Sequence, residues 1–193
     1  MRIKKVLIFM IAILFILIPL NASAYTYEYE EDDVKIDYLP GEIDGDLYVR
    51  AADARLCLRA AAKLEELTSE QQKAADADCS GEVESSDARA ILRASAKIEP
   101  ITVTVNIKVG QNLVVGPLQG PTGWDWWYSG YNLTKLDAKT TSFSPATEAI
   151  GAAADVFYSF SAIENGEYYL KFRQTTAWQE EPYRFFDVKM IVY

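Results

Sequence analysis

Residues 53–65 read DARLCLRAAAKLE, and residues 87–99 repeat that stretch as DARAILRASAKIE. Nine of the thirteen positions are identical at an offset of 34 residues. Both copies are rich in Ala, Leu, Arg and Lys, which favour helices, and both open with an Asp, an anion suited to the positive end of a helix dipole. The repeat therefore predicts two similar helices.

Residues 76–87, which lead into the second helix and are called the second loop, predict a cation site. They place oxygen atoms at the spacing of an EF-hand calcium loop, with Gly81 at the sixth position, where the loop turns sharply. A hard cation such as Ca2+ takes about six to eight oxygen ligands. The alternative is an acidic turn that only caps the helix. The predicted ligands are Asp76, Asp78, Ser80, Glu82 (through its carbonyl) and Asp87.

Residues 42–53, which lead into the first helix and are called the first loop, have the same spacing of oxygen side chains but less suitable residues. Leu47 stands where glycine belongs, and the longer Glu42 occupies the first position. We therefore expect a weakened site, so that the chain binds one or two calcium ions and binds more strongly at the second loop. The predicted ligands are Glu42, Asp44, Asp46, Tyr48 (through its carbonyl) and Asp53.

Residues 39–100 resemble the type I dockerin, the calcium-dependent plug of cellulosome-type enzyme complexes, and are especially like dockerins of rumen bacteria. The duplication, the two loops that end in Asp and the Asp-Ala-Arg helices carry the resemblance. It implies a small all-α module that binds a cohesin domain of a scaffold protein. The alternative is that the leucines are core and the arginines merely solvated. The implied cohesin contacts are Ala51, Ala52, Leu58, Arg59, Ser85, Ser86, Leu92 and Arg93.

The sequence period changes from helical to alternating after Pro100, as in ITVTVNIKV at 101–109. A hairpin turn is expected at Asn165-Gly166. Six or more short strands within residues 101–193 predict an all-β immunoglobulin-like sandwich. The further predicted strands are 112–115, 124–128, 155–162, 167–173 and 184–192.

Three turns of this second domain are unlike ordinary connectors. They read PTGW at 121–124, GAAA at 151–154 and TAW at 176–178. Their order resembles that of the chagasin-like inhibitors of papain-type cysteine proteases, which have a Thr-Gly loop, a Gly-rich loop and an Arg-Pro-Trp loop. The resemblance implies three adjacent loops that wedge into the protease cleft without chemistry of their own. The implied contacts are Pro121, Thr122, Gly123, Trp124, Gly151, Ala152, Ala153, Ala177 and Trp178.

Two other function classes compete with inhibition. A dockerin-borne carbohydrate-binding module would place Trp124, Trp126, Trp127 or Tyr128 on a strand face, where rings stack on sugars, whereas an inhibitor concentrates aromatics at one end. Catalysis is the weakest reading, because the chain has no histidine, the usual general base of Ser and Cys nucleophiles. We therefore expect a protein that is not an enzyme.

Residues 1–24 are predicted to be an export signal. Three basic residues precede fifteen apolar ones at 6–20, and a small-residue cleavage pattern follows at 22–24. The alternative is a membrane anchor, which needs about 20 apolar residues. We expect a secreted protein, extracellular or held at the cell surface by a scaffold, with no membrane contact after cleavage. The predicted segments are the signal (1–24), an exposed acidic lead-in (25–38), the dockerin domain (39–100) and the inhibitor domain (101–193).

Charge and cysteine content bound the remaining possibilities. Without residues 1–24 the chain has sixteen Lys plus Arg against twenty-eight Asp plus Glu, and such an acidic surface disfavours nucleic acid. The only cysteines, Cys57 and Cys79, both fall in the first domain. In a secreted chain these two thiols could pair, and the sequence leaves that open.

Overall fold

The structure, a computed structural model, describes residues 30–120, 124–143, 154–178 and 181–193. Along the chain, one short strand precedes a group of three helices, and seven further strands follow. Within these ranges no helix combines the length and the apolar character needed to cross a bilayer.

The described chain has three α-helices, α1 (Ala51–Ala61), α2 (Ser69–Ala75) and α3 (Ser85–Ser95), and a single-turn 3-10 helix at Leu133–Lys135. α1 and α3 are the two copies of the sequence repeat, so the predicted helix pair is confirmed. The sequence pattern did not predict α2, which begins with a reciprocal capping box: Thr68 Oγ1 accepts from Gln71 N at 3.3 Å and Gln71 Oε1 accepts from Thr68 N at 3.0 Å.

The repeat in sequence is also a repeat in backbone geometry. Asp53 and Asp87 each accept a hydrogen bond from the N–H three positions before them, at 2.8 and 2.7 Å, and so close the first turn of α1 and of α3. Each helix then ends at a lysine in the left-handed region, Lys63 with φ 58° and Lys97 with φ 56°. Both copies therefore start and stop by the same local chemistry.

A small core holds the helices together. α1 and α3 pack against each other, and the core between them contains mostly alanines and a few larger side chains. Its buried members are Ile43, Ala54, Cys57, Ala75, Ala77, Ala88, Ile91, Ala94 and Ile101.

The strands of the described chain form a two-sheet sandwich. They are β1 (Val34–Ile36), β2 (Thr102–Ile107), β3 (Asn112–Gly120), β4 (Trp124–Tyr131), β5 (Leu136–Phe143), β6 (Ala154–Ala162), β7 (Gly166–Thr176) and β8 (Arg184–Val192). One sheet has the order β1-β3-β6-β5 and the other β2-β8-β7-β4. The sets β3-β6-β5 and β8-β7-β4 have the connectivity of the BED and GFC strands of an immunoglobulin domain. The sandwich prediction is therefore confirmed.

The strand predictions agree with the structure where one face is buried. β8 alternates buried and half-buried residues throughout, and its predicted range is correct. β5 was not predicted, because it lies at a sheet edge with most of its side chains exposed and so lacks an alternating apolar pattern. The turn predicted at Asn165-Gly166 was placed one residue too late: the observed turn ends at Asn165, and Gly166 is the first residue of β7.

The core of the sandwich is aromatic. Phe160, Phe172 and Phe186 have no exposed surface, and Tyr168 is 1 % exposed. The rings of Phe172 and Phe186 stack with centroids 4.9 Å apart. Full burial of each such ring contributes roughly 1.5–3 kcal/mol, so the strands that carry these rings hold the two sheets together.

The segment before the helices differs from the exposed lead-in that the sequence suggested. Val34–Ile36 forms β1, which pairs in parallel with residues 113–115 of β3. Ile36 is 1 % exposed and belongs to the sandwich core. The acidic residues around it concealed an alternating strand only three residues long, too short to register as a period.

The helices and the sandwich share residues across the predicted domain boundary. Ile101, the first residue after the proline, is buried in the helical core, while its carbonyl accepts a hydrogen bond from Asp187 N at 2.8 Å. On the other side, Tyr38 and Leu39 pack against the sandwich core. The two parts are therefore in direct contact at both ends of the helical segment.

Both cysteines are free thiols, so the pairing that the sequence left open is not formed. Cys57 is buried in the helical core, and this burial raises its pKa to about 12. Cys79 is exposed in the second loop.

Candidate functional site

Three connections leave the sandwich at the same end. The register pairs Gly120 with Ala154, Trp124 with Thr176 and Gln174 with Arg184. The links β3–β4, β5–β6 and β7–β8 therefore all emerge beside one another. We call this end of the sandwich the docking end; its described residues are 119–120, 124–126, 143, 154–155, 174–178 and 181–184.

One main-chain carbonyl ties the docking end together. Gln119 O, near the end of β3, accepts hydrogen bonds from Trp126 Nε1 at 3.1 Å, Gln174 Nε2 at 3.2 Å and Arg184 Nη1 at 3.1 Å. The three donors come from β4, β7 and β8 of the opposite sheet. This carbonyl therefore fixes the start or end of four strands relative to one another.

Buried polar groups lie directly below this junction. Gln174 has no exposed surface, and Thr176 and Arg184 are 6 % and 7 % exposed. Within the described chain, Gln174 Oε1, Thr176 Oγ1 and Arg184 Nε have no hydrogen-bond partner. Unpaired polar atoms inside a protein cost free energy. The sandwich core is otherwise apolar, so these buried polar side chains distinguish the docking end from the rest of it.

The predicted protease contacts are only partly within the described chain. Trp178 is 80 % exposed and Ala177 is also exposed, as a contact residue should be. Trp124 is half-buried, and its ring lies 4.6 Å from that of Tyr183. The other predicted contacts lie outside the described residues: Pro121, Thr122, Gly123, Gly151, Ala152 and Ala153.

The second loop brings three of its predicted ligands together. Carboxylate oxygens of Asp76, Asp78 and Asp87 lie within 4.8 Å of one another. Backbone N–H groups orient them: Asp76 accepts from Ser80 N and Gly81 N at 2.9 Å each, and Asp78 accepts from Ser80 N at 3.0 Å. The loop backbone thus holds hard oxygen donors around one point.

The charge of this cluster favours a cation. Burial raises the pKa of Asp87, and the nearby Asp78 and Asp76 raise it further. No lysine or arginine of the described chain forms a salt bridge with these three carboxylates. Gly81 adopts φ 91°, the turn that glycine permits at the sixth loop position. Oxygen donors with uncompensated negative charge fit Ca2+, and Ser80 and the Glu82 carbonyl lie in the same loop.

The first loop gathers its ligands differently. Glu42, Asp44 and Asp46 lie within 4.8 Å of one another, but Asp53 is not part of that group. The backbone hydrogen bonds to the last carboxylate are nevertheless the same in both loops: Asp53 accepts from three N–H groups at 2.8–3.2 Å, and Asp87 accepts from the three equivalent groups at 2.7–3.2 Å.

A cation of the protein already lies beside this first loop. Arg50 Nη1 is 2.7 Å from Asp46 Oδ2, where the second loop has Glu84 at the matching position. Leu47 is held at φ 68°, a conformation that suits glycine and strains a leucine. The first loop therefore differs from the second in two respects: it has a compensating positive charge, and it has a leucine rather than glycine at the strained sixth position.

The predicted cohesin contacts form an exposed surface. Leu58 and Leu92 are 51 % and 50 % exposed, so neither is a core residue. The neighbouring arginines form local ion pairs with acids six positions later, Arg59 with Glu65 at 3.2 Å and Arg93 with Glu99 at 2.8 Å. The other predicted contacts are exposed at Ala51, Ala52 and Ser85 and half-buried at Ser86.

The tryptophans of β4 divide between two faces. Trp126 is 7 % exposed and Tyr128 packs against the core, so neither can stack on a sugar. Trp127 points the other way, is 44 % exposed and donates to Thr175 Oγ1 at 3.1 Å. Tyr131 lies further along the same face of β4 and is 65 % exposed.

Sequence reasoning missed the residues that organise the docking end. Nothing in the local pattern distinguishes Gln119, Gln174 or Arg184, because each acts through a partner on a distant strand. A polar residue in an otherwise apolar alternating strand, as Gln174 is in β7, was the one available signal.

Comparisons with solved structures find likenesses over about half of the chain. EhICP2, a cysteine protease inhibitor from Entamoeba histolytica, matches 48 % of this chain and 87 % of its own at 14 % identity and a TM-score of 0.42. Amebosin matches 47 % and 88 % at 21 % identity and a TM-score of 0.40. PbICP-C, solved in complex with falcipain-2, matches 47 % and 85 % at 13 % identity and a TM-score of 0.34.

No residue of this chain takes a role from those proteins at such identities and TM-scores. No protein-family profile matches the chain. No curated protein matches it either.

Proposed function

We propose that the sandwich inhibits papain-type cysteine proteases by inserting the three connections of its docking end into the active-site cleft. The observation that carries this proposal is the convergence of the three links, with Trp178 80 % exposed among them. Blocking a cleft requires a firm wedge with aromatic anchors and no catalytic group.

Rigidity at the docking end supports the proposal. The three hydrogen bonds to Gln119 O join both sheets below the connections. A wedge that is already ordered loses less conformational entropy on binding, so more of the contact energy appears as affinity.

Titration against papain and a cathepsin-like protease with a fluorogenic substrate tests this proposal. We expect tight, reversible inhibition that Thr122→Glu weakens, because a charge buried without a partner is costly. Thr134→Glu, a matched change at an exposed position away from the docking end, is the control and should inhibit like the wild type. Absence of inhibition of any papain-type enzyme at micromolar protein would refute the function.

We also propose that the helical part is a dockerin-like plug that binds Ca2+ and a cohesin domain of a scaffold protein. Convergence of Asp76, Asp78 and Asp87 supports the metal. The exposed leucines at equivalent positions of α1 and α3, Leu58 and Leu92, give both helices the same apolar contact point for a protein partner.

Capture by immobilised cohesins, with and without chelator, tests the plug. Leu92→Asp should abolish capture if the α3 face docks, and Leu58→Asp should do so if the α1 face docks. Because Leu64 is 68 % exposed but lies beyond the α1 face, Leu64→Asp is the control. Capture that survives both Leu58→Asp and Leu92→Asp would contradict the proposal.

Export follows as a further part of the proposal, from the apolar stretch at 6–20. Expression of the full chain in a secreting host should release a protein whose amino terminus is Tyr25, as read by mass spectrometry. Retention in the membrane fraction with residue 1 intact would favour an anchor instead.

One observation favours a second function, sugar binding. Trp127 and Tyr131 stand on the outer face of β4, and Tyr169 of β7, paired with Tyr131, is 38 % exposed beside them. Aromatic rings on a strand face can stack on sugars. In affinity electrophoresis through xylan, cellulose and pectin gels, retarded migration that Trp127→Ala relieves would support this function, and unretarded wild type would exclude it for these glycans.

A further inference from the structure

The first loop of the helical segment touches the docking end. The ring of Tyr48 lies edge-on to that of Tyr183, with centroids 5.2 Å apart. The guanidinium of Arg184 lies over the Tyr48 ring, 4.9 Å from its centroid. Tyr183 in turn packs on Trp124, a predicted protease contact. The Tyr48 side chain therefore reaches from the helical segment to Tyr183, just before β8, and to Arg184, the first residue of β8.

The loop around Tyr48 holds this ring in place. Tyr48 N donates to Asp46 Oδ1 at 2.8 Å, and Asp46 Oδ2 is 2.7 Å from Arg50 Nη1. The guanidinium of Arg50 also lies over the Tyr48 ring, 4.4 Å from its centroid. Arg50 N is fixed by the buried carboxylate of Asp53 at 2.8 Å. The ring is thus fixed by contacts that do not involve the sandwich.

The two contacted residues are those that close the β7–β8 link. Tyr183 N donates to Gln174 O at 2.8 Å, and Arg184 donates to Gln119 O at 3.1 Å. Between them and the end of β7 lies the link that carries the exposed Trp178. A shift of Tyr183 or Arg184 would therefore reach the contact residues of the docking end.

We propose that Tyr48 is a positioning residue for the docking end: the first loop serves as a brace that fixes the β7–β8 link through Tyr183 and Arg184. The consequence for protease binding rests on the proposed inhibitory function, whereas the brace itself does not. This role also gives the first loop a use that needs no metal, since Arg50 already lies against Asp46.

Amide hydrogen exchange of Tyr183 measures the brace directly, because its N–H is bonded to Gln174 O across the link. In Tyr48→Ala we expect this amide to exchange about tenfold faster. Tyr48→Phe keeps the ring but loses the hydroxyl that interacts with the Tyr183 side chain, so it should restore most of the wild-type protection. Tyr193→Ala, the same truncation at an exposed tyrosine just after β8, should leave exchange unchanged. Tyr48→Leu, which keeps most of the bulk without the ring, replaces Tyr48→Ala if that variant does not fold.

Inhibition of papain by the same variants separates the two proposals. We expect the inhibition constant to rise about tenfold in Tyr48→Ala and to recover in large part in Tyr48→Phe, which keeps the ring without the hydroxyl. Unchanged exchange at Tyr183 would overturn the brace whatever the protease result. Faster exchange with an unchanged inhibition constant would overturn its role in positioning. Faster exchange in Tyr48→Ala, together with a wild-type protein that inhibits no papain-type protease, would leave the brace standing and refute the inhibitory function alone.

Discussion

Replacing Asp78 by Asn separates the metal role of the second loop from its structural role. Asn keeps the side-chain oxygen that accepts from Ser80 N at 3.0 Å and removes one negative charge. Two unit charges 4.8 Å apart, the limit within the cluster, repel by about 0.9 kcal/mol in water and about 3.5 kcal/mol at an effective dielectric constant of about 20. Asp78 takes part in two of the three repelling pairs and is exposed, so the water value applies best.

We therefore expect Asp78→Asn to be more stable than the wild type in chelator, by roughly 1–2 kcal/mol. That difference corresponds to about 2–8 °C in melting temperature for a chain of this size. Calcium at about one hundred times its dissociation constant should stabilise the wild type by about 2.7 kcal/mol. Most of this gain should disappear in Asp78→Asn, because the affinity of such loops depends on the number of charged ligands.

Asp44→Asn is the matched control, since Asp44 holds the same loop position and accepts from Asp46 N at 3.1 Å in the same way. It should change the calcium gain less, because Arg50 already compensates charge in the first loop. Differential scanning calorimetry in chelator and in calcium gives the melting temperatures of the wild type, Asp78→Asn and Asp44→Asn, and so the calcium gain of each. A lower melting temperature of Asp78→Asn in chelator, or an undiminished calcium gain, would refute the electrostatic reasoning.

Three further outcomes are expected. Trp178→Ala should keep the wild-type melting temperature and weaken inhibition of papain by about tenfold or more, because the exposed ring contributes only to binding. Ile36→Ala should lower the free energy of unfolding in urea by about 2–5 kcal/mol, whereas an unpacked lead-in would tolerate the change. Iodoacetamide should label Cys79 in the native protein and Cys57 only after unfolding, as counted by intact mass; label on neither would indicate a disulfide.

Short-range patterns in the sequence were enough to predict the repeated elements. The spacing of Asp76, Asp78 and Asp87 within twelve residues fixes which oxygens can meet, because a loop of that length has few ways to turn around one point. The helices follow from composition and from the Asp that caps each one. The alternating strands follow wherever one face is buried, as in β8.

Local patterns failed where a strand is mostly exposed or very short. β5 is an exposed edge strand, and β1 has three residues among acidic neighbours. Both strands form because they pair with another strand, β1 with β3 and β5 with β6. Their own residues show no strand pattern that could predict this pairing.

By itself, the sequence determined the loop frames, the helix pair, the sandwich class and the three unusual turns, because each depends on residues a few positions apart. Only the tertiary structure decided that Gln119 O gathers donors from three strands, that Arg50 lies against the first loop, and that Tyr48 reaches Tyr183. The contacts of Gln119 O with Gln174 and Arg184 join residues 55 and 65 positions apart, and Tyr48 and Tyr183 lie more than a hundred positions apart. Their existence depends on how the sheets and helices pack, a property of the whole folded chain that no local period or spacing encodes.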